Sequence, residues 1–595
     1  MILAILILLV LVVLGTAYGL WFTIWGFNAL SKEHWVWVGH FIRDYHTLPD
    51  FLTWSLYGIG GGLVLAIVLA LAVGSRVKAR TIHGEHDKET LHGSARWGTW
   101  RDAKRAGLTG SKGVVVGGFP KGRKTVPLRH DGPEHVFCFA PTRSGKGVSL
   151  VIPTLLEWEQ SVFVLDIKGE NYALTAGYRA SLGHKVLRFE PSATSGSVCF
   201  NPLAEIRLGT GREVADAQNI SMMVIDPEAK GLRDFFMKNG WGWLNACLLH
   251  TMYRIHMTEK RLASLKDLYA FMCSAGVVSF DADGNPQVDE SGVKKLIIGM
   301  INFDHQFKGK SQPAINDAIR FEAQEMLRRL LTAGPEFSGV FSSAMTELKL
   351  YADPILSKNI SSSDFTIADL MNGEDPVALY FVIPPSDIAR LRPIIRTVMN
   401  LLLTRQTEAM TFGGPALYKH RLLLMLDEFT SIGRLEIFEQ ALAFMAGYGL
   451  KAFLIVQDLN QLQKAYGREH SITANCHVRI AYAPNTHETA KVLSEMLGKT
   501  TVVQQKRGTS RKGLELFASK SDSLNEVARP LLTPDECMSL PGLRIKGKKV
   551  IPGDMLILVA GNAPIYGRQQ LYFQDKELRC RSEMPSPTAR QEAAE

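Results

Sequence analysis

The residues best suited to chemistry lie in HVFCFAPTRSGKGVSLVIPTL, His135 to Leu155. A strand-like apolar run, Val136 to Ala140, enters a Gly-bearing turn, and an apolar run of helical spacing leaves it. That order suits phosphate. Backbone N–H groups from Thr142 through Arg143, Ser144, Gly145 and Lys146 to Gly147, with Val148 opening the helix, can curl around a β-phosphate. The helix N-terminus adds partial positive charge, and Lys146 brings a point charge to the β- and γ-phosphates of ATP. The match to G-x-x-x-x-G-K-[ST] departs at two places: Ala140 stands for the first Gly, and Gly147 for the hydroxyl residue that usually holds Mg²⁺. Ser149 comes two residues late for that duty, so a water-mediated shell anchored by a carboxylate is the expected substitute.

That carboxylate is found in RLLLMLDE, Arg421 to Glu428, an apolar run ending in two acids. A buried parallel strand reads this way, and its C-terminal tip is where an α/β sheet gathers ligands. Asp427 is expected to orient Mg²⁺ and Glu428 to polarise the attacking water as general base. A third apolar run, Phe453 to Val456, ends at Gln457, a residue type able to sense a γ-phosphate or position water. Two further Gly-Lys-Ser/Thr strings read as decoys. Gly498-Lys499-Thr500 reverses the strand-then-helix order, and Gly309-Lys310-Ser311 is followed closely by Pro313.

Further strands are expected at Val162 to Leu165, Val377 to Ile383, Val478 to Tyr482 and Met555 to Val559. Helical runs between them make this an α/β chain with a doubly wound, mainly parallel sheet. Lys146 and Asp427 are 281 residues apart, more than the crossovers need. The excess falls in a stretch rich in helical signals and poor in strands, with helices expected at Asn245 to Met257, Ser264 to Cys273 and Pro313 to Leu331. It reads as an inserted all-α domain, with one short hairpin starting at Val277 to Phe280.

Length and composition fit several packed domains: 595 residues, 46% hydrophobic and 21% charged, which excludes a wholly disordered, collagen-like or coiled-coil chain. Ile2 to Ser31 and Phe51 to Ser75 carry no charged side chain, and each exceeds the roughly 20 residues that cross a bilayer. Arg76, Lys78 and Arg80 follow at once, so the positive-inside rule puts the large remainder in the cytoplasm. The first run lacks the charged n-region of a cleaved signal. The seven cysteines are odd in number and never form C-x-x-C, and the 16 histidines form no metal-ligand spacing, so reduced buried thiols are expected and a Cys/His metal site is not. Net charge is +9, with basic clusters at Lys506-Arg507, Arg511-Lys512 and Arg544 to Lys549 that read as solvated loops or as phosphate contacts.

Taken in order, LHGSARW (Leu91 to Trp97), APTRSGKG (Ala140 to Gly147), VLDIKGENY (Val164 to Tyr172), FNPL (Phe200 to Leu203), LLLMLDEF (Leu422 to Phe429) and GYGLKAFLIVQDLNQL (Gly447 to Leu462), behind two N-terminal spans, resemble the TraG-like coupling proteins of type IV secretion systems. The likeness runs over nearly the whole chain, and that family tolerates Gly after the loop Lys. The resemblance implies a RecA-like, P-loop ATPase of the bacterial inner membrane, assembled as a homo-hexamer around a channel. It would receive a relaxase attached to single-stranded DNA, or a protein effector, and deliver it to the secretion channel. A ring motor also implies an arginine from the neighbouring subunit; Arg479 and Arg434 are the candidates.

The expected organisation is a membrane anchor over 1–80, a nucleotide-binding domain in two parts over 81–204 and 351–580, the all-α insert over 205–350, and a disordered tail over 581–595. Two other readings share these features: a nucleotide-binding membrane receptor or scaffold with little hydrolysis, suggested by Gly147, and an FtsK-like DNA translocase, whose extra spans and DNA-reading C-terminal module have no counterpart here.

Overall fold

The computed structural model describes residues 93–587 except 123, 277, 281–285, 289–290, 410–416, 511–518 and 548, together with residues 10, 13, 14 and 60. Apart from those four residues, both expected membrane spans lie outside the described residues, as do the basic residues behind them, Arg511-Lys512 and the end of the tail. Among those described, no helix is long and apolar enough to cross a membrane.

The chain forms two compact units. The larger, residues 95–498 with 530–595, is built on an 11-stranded sheet. Its strands are β1 (Val114–Lys121), β2 (Lys124–His130), β3 (Val136–Phe139), β4 (Ser161–Asp166), β5 (Lys185–Phe189), β6 (Val377–Val382), β7 (Leu422–Leu426), β8 (Leu450–Val456), β9 (Val478–Ala481), β10 (Asp554–Val559) and β11 (Ile565–Arg568). The spatial order is β2-β1-β11-β10-β9-β3-β8-β7-β4-β6-β5. From β9 to β5 every neighbour pair is parallel, whereas β10, β11, β1 and β2 add an antiparallel wing.

Side-chain alternation divides this sheet cleanly. Phe137, Phe139, Phe163, Leu165, Leu424 and Leu426 enter one buried cluster, which is continuous with the helical insert. Val136, Cys138, Val162, Val164, Leu423, Met425, Phe453 and Ile455 enter the other, beneath the helix that follows β3. A sheet buried on both faces needs unbroken apolar strands, and β3, β4, β6, β7 and β8 are buried at every position.

The insert leaves after β5 and returns before β6. Its main helices are Glu213–Ile225, Phe235–Thr258, Leu265–Cys273, Ser291–Asn302, Pro313–Thr332 and Gly334–Thr346. Asp234 and Ser264 accept from the backbone N–H groups that open the second and third of these. FNPL stands at the insert's root. Asn201, fully buried, donates to the Ala263 and Ser361 carbonyls at 2.8 and 3.3 Å and accepts from Leu203 N–H at 3.0 Å, tying the outgoing chain to the returning one. The expected hairpin is present as Val278–Phe280 against Pro286–Val288.

The helix after β3 is held at its far end by Arg179. This fully buried side chain donates to the carbonyls of Leu155 (3.0 Å), Trp158 (2.7 Å) and Gln160 (2.5 Å), and burial lowers its pKa to about 10. The Leu155 carbonyl is one that a helix end leaves without a partner, and those of Trp158 and Gln160 belong to the connection that follows the helix. Over 581–587, the described part of the tail expected to be disordered over 581–595, the structure is ordered by contacts with the sheet's helices. Lys576–Ser582 is helical, and Arg581 donates to the Leu156 carbonyl at 2.9 Å. Gly177 explains the continuation: a Cβ there would stand 2.2 Å from the Met584 carbonyl oxygen, so its missing side chain leaves the slot where that backbone lies.

The smaller unit, residues 1–94 with 499–529, contains a two-stranded ribbon, Lys499–Ser510 against Ser519–Pro530. Lys506-Arg507 therefore belong to a strand rather than to the solvated loop the composition suggests.

Arg179→Met removes three donors from buried carbonyls while keeping most of the side-chain volume. Each stranded acceptor costs on the order of 1 kcal/mol or more, so the variant should lose about 3 kcal/mol of stability. Denaturant unfolding checks this; a loss below about 0.5 kcal/mol would mean that water replaces the guanidinium.

Candidate functional site

The turn after β3 begins with Ser144 N–H donating to the Pro141 carbonyl (3.1 Å). Arg143 (φ 63°) and Gly145 (φ 89°) are both left-handed. At Arg143 that conformation carries the strain of a Cβ; at Gly145 there is none, and the loop can curl tightly. The helix then starts as a wide turn, Gly147–Val151, with Ile152 N–H reaching back to the Gly147 carbonyl, before turning α-helical over Ile152–Glu157. Pro153 has no N–H and would crowd the carbonyl four residues back, and the wider register accommodates it.

At the same rim, β8 lies between β3 and β7, so three strand tips bring together residues far apart in sequence. Lys146 Nζ lies 2.6 Å from Glu428 Oε1, 3.1 Å from Asp427 Oδ1 and 2.9 Å from the Asp427 carbonyl oxygen, to which it donates. Gln457 bridges the third tip: its Nε2 donates to Glu428 Oε2 at 3.1 Å, and its Oε1 lies 3.4 Å from Thr142 Oγ1. Asp427 and Gln457 continue the face occupied by Met425 and Ile455, the face on which the β3 helix sits.

The electrostatics follow from partial burial. Desolvation works against the Lys146 ammonium, but the Asp427 and Glu428 carboxylates outweigh it and raise its pKa, so it stays charged. Burial pushes the Asp427 carboxyl up despite the pull of Lys146. Asp427 Oδ1 is buried and, although at ion-pair distance from Lys146, receives no aligned hydrogen bond. An oxygen left in this state suits a cation brought in by the substrate. Mg²⁺ is ordinarily held by one or two carboxylates, substrate phosphates and water, so Asp427 with Glu428 beside it fits the ion. Among the described residues no group of three or more His, Cys, Asp or Glu side chains could hold a metal unaided.

Ser149 is turned away from this rim. Its Oγ donates to the Gly145 carbonyl at 2.7 Å and lies 2.7 Å from the Tyr482 hydroxyl, in the core. It braces the loop and does not line it. Gly147 faces open space, with no heavy atom within 4 Å of where a Cβ would stand. Arg479 is placed apart from the other site residues. Its register partner is Phe137, two residues before the loop end of β3, and its Nε donates to the Thr473 and Cys476 carbonyls at 3.1 and 3.2 Å. Arg434 is exposed, on the connection that follows Asp427 and Glu428. Both decoys hold. Gly309-Lys310-Ser311 forms a hairpin with Lys308 and Gly309 at positive φ, and Gly498 ends the helix His487–Leu497.

Sequence reading missed several contributors. Gln461 Nε2 donates to Gln457 Oε1 (3.2 Å), and Thr430 Oγ1 donates to Gln461 Oε1 (3.2 Å). The signal was available, since Gln457 and Gln461 are four apart where Asp458 caps the helix Leu459–Tyr466. Asp166, within VLDIKGENY, also had a readable job: it accepts from Gly169 N–H (2.9 Å) and Tyr172 N–H (2.8 Å) at the next helix start, and burial raises its pKa to about 6. Tyr482 and Gln569 gave no local signal.

Residues 96–594 match the family described as Type IV secretory system Conjugative DNA transfer. The chain is similar to Conjugal transfer protein TraG of Escherichia coli, at 42% identity over 585 residues covering 94% of this chain and 87% of that protein. Among solved structures it is similar in fold to plasmid coupling protein TrwB in complex with ADP and Mg²⁺, with a TM-score of 0.52 and 16% identity over 80% of this chain and 94% of that one. TrwB in complex with a non-hydrolysable ATP analogue gives a TM-score of 0.52 at 17% identity, covering 80% and 93% of the respective chains.

The open space at Gly147 makes Gly147→Ser a test of how the metal is held. The variant should fold normally and reach half-maximal nucleotide turnover at a severalfold lower Mg²⁺ concentration, because a hydroxyl there is a usual ligand. A Mg²⁺ titration that superimposes on the parent's would show that carboxylate and water already suffice.

Proposed function

This chain belongs to the Type IV secretory system Conjugative DNA transfer family, and from that premise we propose that it is the ATPase that couples nucleotide hydrolysis to delivery of substrates into a conjugation channel. The observation that carries the reading is Lys146 Nζ meeting Asp427 and Glu428 at the rim of one sheet.

Each group has a task that its position supports. The loop from Thr142 to Val148 cradles the phosphates and Lys146 neutralises the β- and γ-oxygens. Asp427 holds Mg²⁺, which supplies charge stabilisation to the transferring phosphoryl group. Glu428 accepts the proton of the attacking water, and Gln457, already hydrogen-bonded to Glu428, orients it. Before nucleotide arrives, Lys146 neutralises the very carboxylates that later act. A triphosphate that draws the ammonium away therefore frees Glu428 for its role, so binding and activation are linked.

The active assembly is a homo-hexamer in the bacterial inner membrane, anchored by the spans read at Ile2 to Ser31 and Phe51 to Ser75. A neighbouring subunit supplies the arginine that completes the site. Of the two candidates Arg434 is the better placed, because it is exposed, whereas Arg479 is half-buried with its Nε donating to the Thr473 and Cys476 carbonyls. Single-stranded DNA carried by a relaxase, or a protein effector, is the cargo, and channel components are the receiving partners. The exposed Arg544, Lys546 and Lys549 on the hairpin Arg544–Lys546/Lys549–Ile551 offer phosphate contacts.

Two substitutions separate motor from passive receptor. Lys146→Ala should abolish both ATP turnover and conjugative transfer. Glu428→Gln should still bind ATP but turn over about 10² to 10⁴-fold more slowly, the usual worth of a positioned base. Transfer at the parental frequency with Lys146→Ala would remove the motor reading.

A further inference from the structure

We infer that Gln569 is a positioning residue that sets the phosphate loop from outside, an inference that rests on the nucleotide site proposed above. Gln569 follows β11 directly and is 1% exposed. Its backbone N–H donates to the Gly553 carbonyl at 2.9 Å, and its Oε1 accepts from Gly553 N–H at 3.2 Å. With the amide oxygen fixed there, Nε2 is aimed at the loop and donates to the Ser144 carbonyl at 2.8 Å. The clamp is tightly fitted: a Cβ on Gly145 would stand 3.2 Å from Leu543 Cδ1 and 3.3 Å from Gln569 Oε1, and one on Gly553 would meet the Pro541 carbonyl oxygen at 2.7 Å.

The consequence comes from peptide planarity. In a trans peptide the C=O of one residue and the N–H of the next point in opposite directions. Holding the Ser144 carbonyl outward, against Gln569, turns the Gly145 N–H inward to the concave side where a phosphate binds. Without that latch the Ser144–Gly145 peptide is free to flip, since Gly145 tolerates either sign of φ. A flipped peptide presents a carbonyl oxygen to the anion, a repulsive group in place of a donor. Gln569 thus acts through the loop, and never needs to touch nucleotide.

The test uses the full-length protein and Mg²⁺–ADP as probe, measured across pH 8 to 5.5, with thermal unfolding of the nucleotide-free protein in parallel. Gln569→Glu keeps the shape and the acceptor but at pH 8 points a carboxylate at the Ser144 carbonyl, so the Kd should rise on the order of tenfold or more. At pH 5.5 part of that carboxylate regains a proton and a donor, and the deficit relative to parent should narrow. Gln569→Leu should be weakened at every pH, which separates the latch from a simple charge effect, since charge alone predicts near-parental binding for Leu. Binding of Gln569→Leu within twofold of parent overturns the inference. If Gln569→Leu does not fold, an equal Gln569→Glu deficit at pH 8 and pH 5.5 overturns it. Should parent and Lys146→Ala bind Mg²⁺–ADP equally, it is the nucleotide site itself that has been misassigned, and the Gln569 comparison is read separately.

Discussion

Three charges at one rim organise the molecule: an ammonium between two carboxylates, partly withdrawn from water. Withdrawal is costly for each ion alone, and only close pairing makes it tolerable. Lys146 comes from the turn after β3, Asp427 and Glu428 from the tip of β7. The sheet must therefore hold two strands, distant along the chain, in fixed relation. The strictly buried strands β3, β8 and β7 do this, each fully covered on both faces.

Interposing β8 between β3 and β7 has a chemical consequence. Adjacent strands are about 4.8 Å apart, so the phosphate loop and the acids are separated by about twice that distance at the backbone. A long lysine spans the gap, and the middle tip is left for a side chain that can address both sides. Gln457 occupies it, with contacts to Glu428 on one side and Thr142 on the other. An amide there can respond to the position of either neighbour without adding charge.

The site was more legible than the frame. Apolar runs identified β3, β4, β6, β7, β8, β9 and β10, and the candidates Lys146, Asp427, Glu428 and Gln457, read from the ends of three of them, meet at one rim. The wing strands β1 and β2 were not legible, because Gly117, Gly118, Pro120 and Pro127 are residue types that interrupt strand patterns; a bulged antiparallel pair accepts residues that a central parallel strand does not. The end of the chain misled for a related reason. Low apolar periodicity after Arg581 suggested disorder, but the backbone lies in a groove opened by a missing side chain at Gly177, a kind of fit that leaves no pattern in composition. Arg479, chosen for its charge, has its Nε engaged in closing its own loop, a contact that no sequence pattern announces.

What holds the loop steady is spread across the chain. Arg179 fastens the far end of its helix, the Ser149–Tyr482 pair braces its inner side, and Gln569 grips its outer side from 425 residues away. None of these groups is needed for the chemistry of phosphate transfer, yet Ser149 and Gln569 each fix a backbone carbonyl of the loop, and Arg179 fixes the end of the helix that leaves it. Anion binding by backbone N–H groups is strong only if those groups are oriented beforehand, because reorienting peptides on binding would consume much of the gain. The antiparallel wing is thus part of the nucleotide site in a physical sense. Movement of that wing, and of the basic hairpin that extends from it, would reach the phosphate loop through a single buried amide.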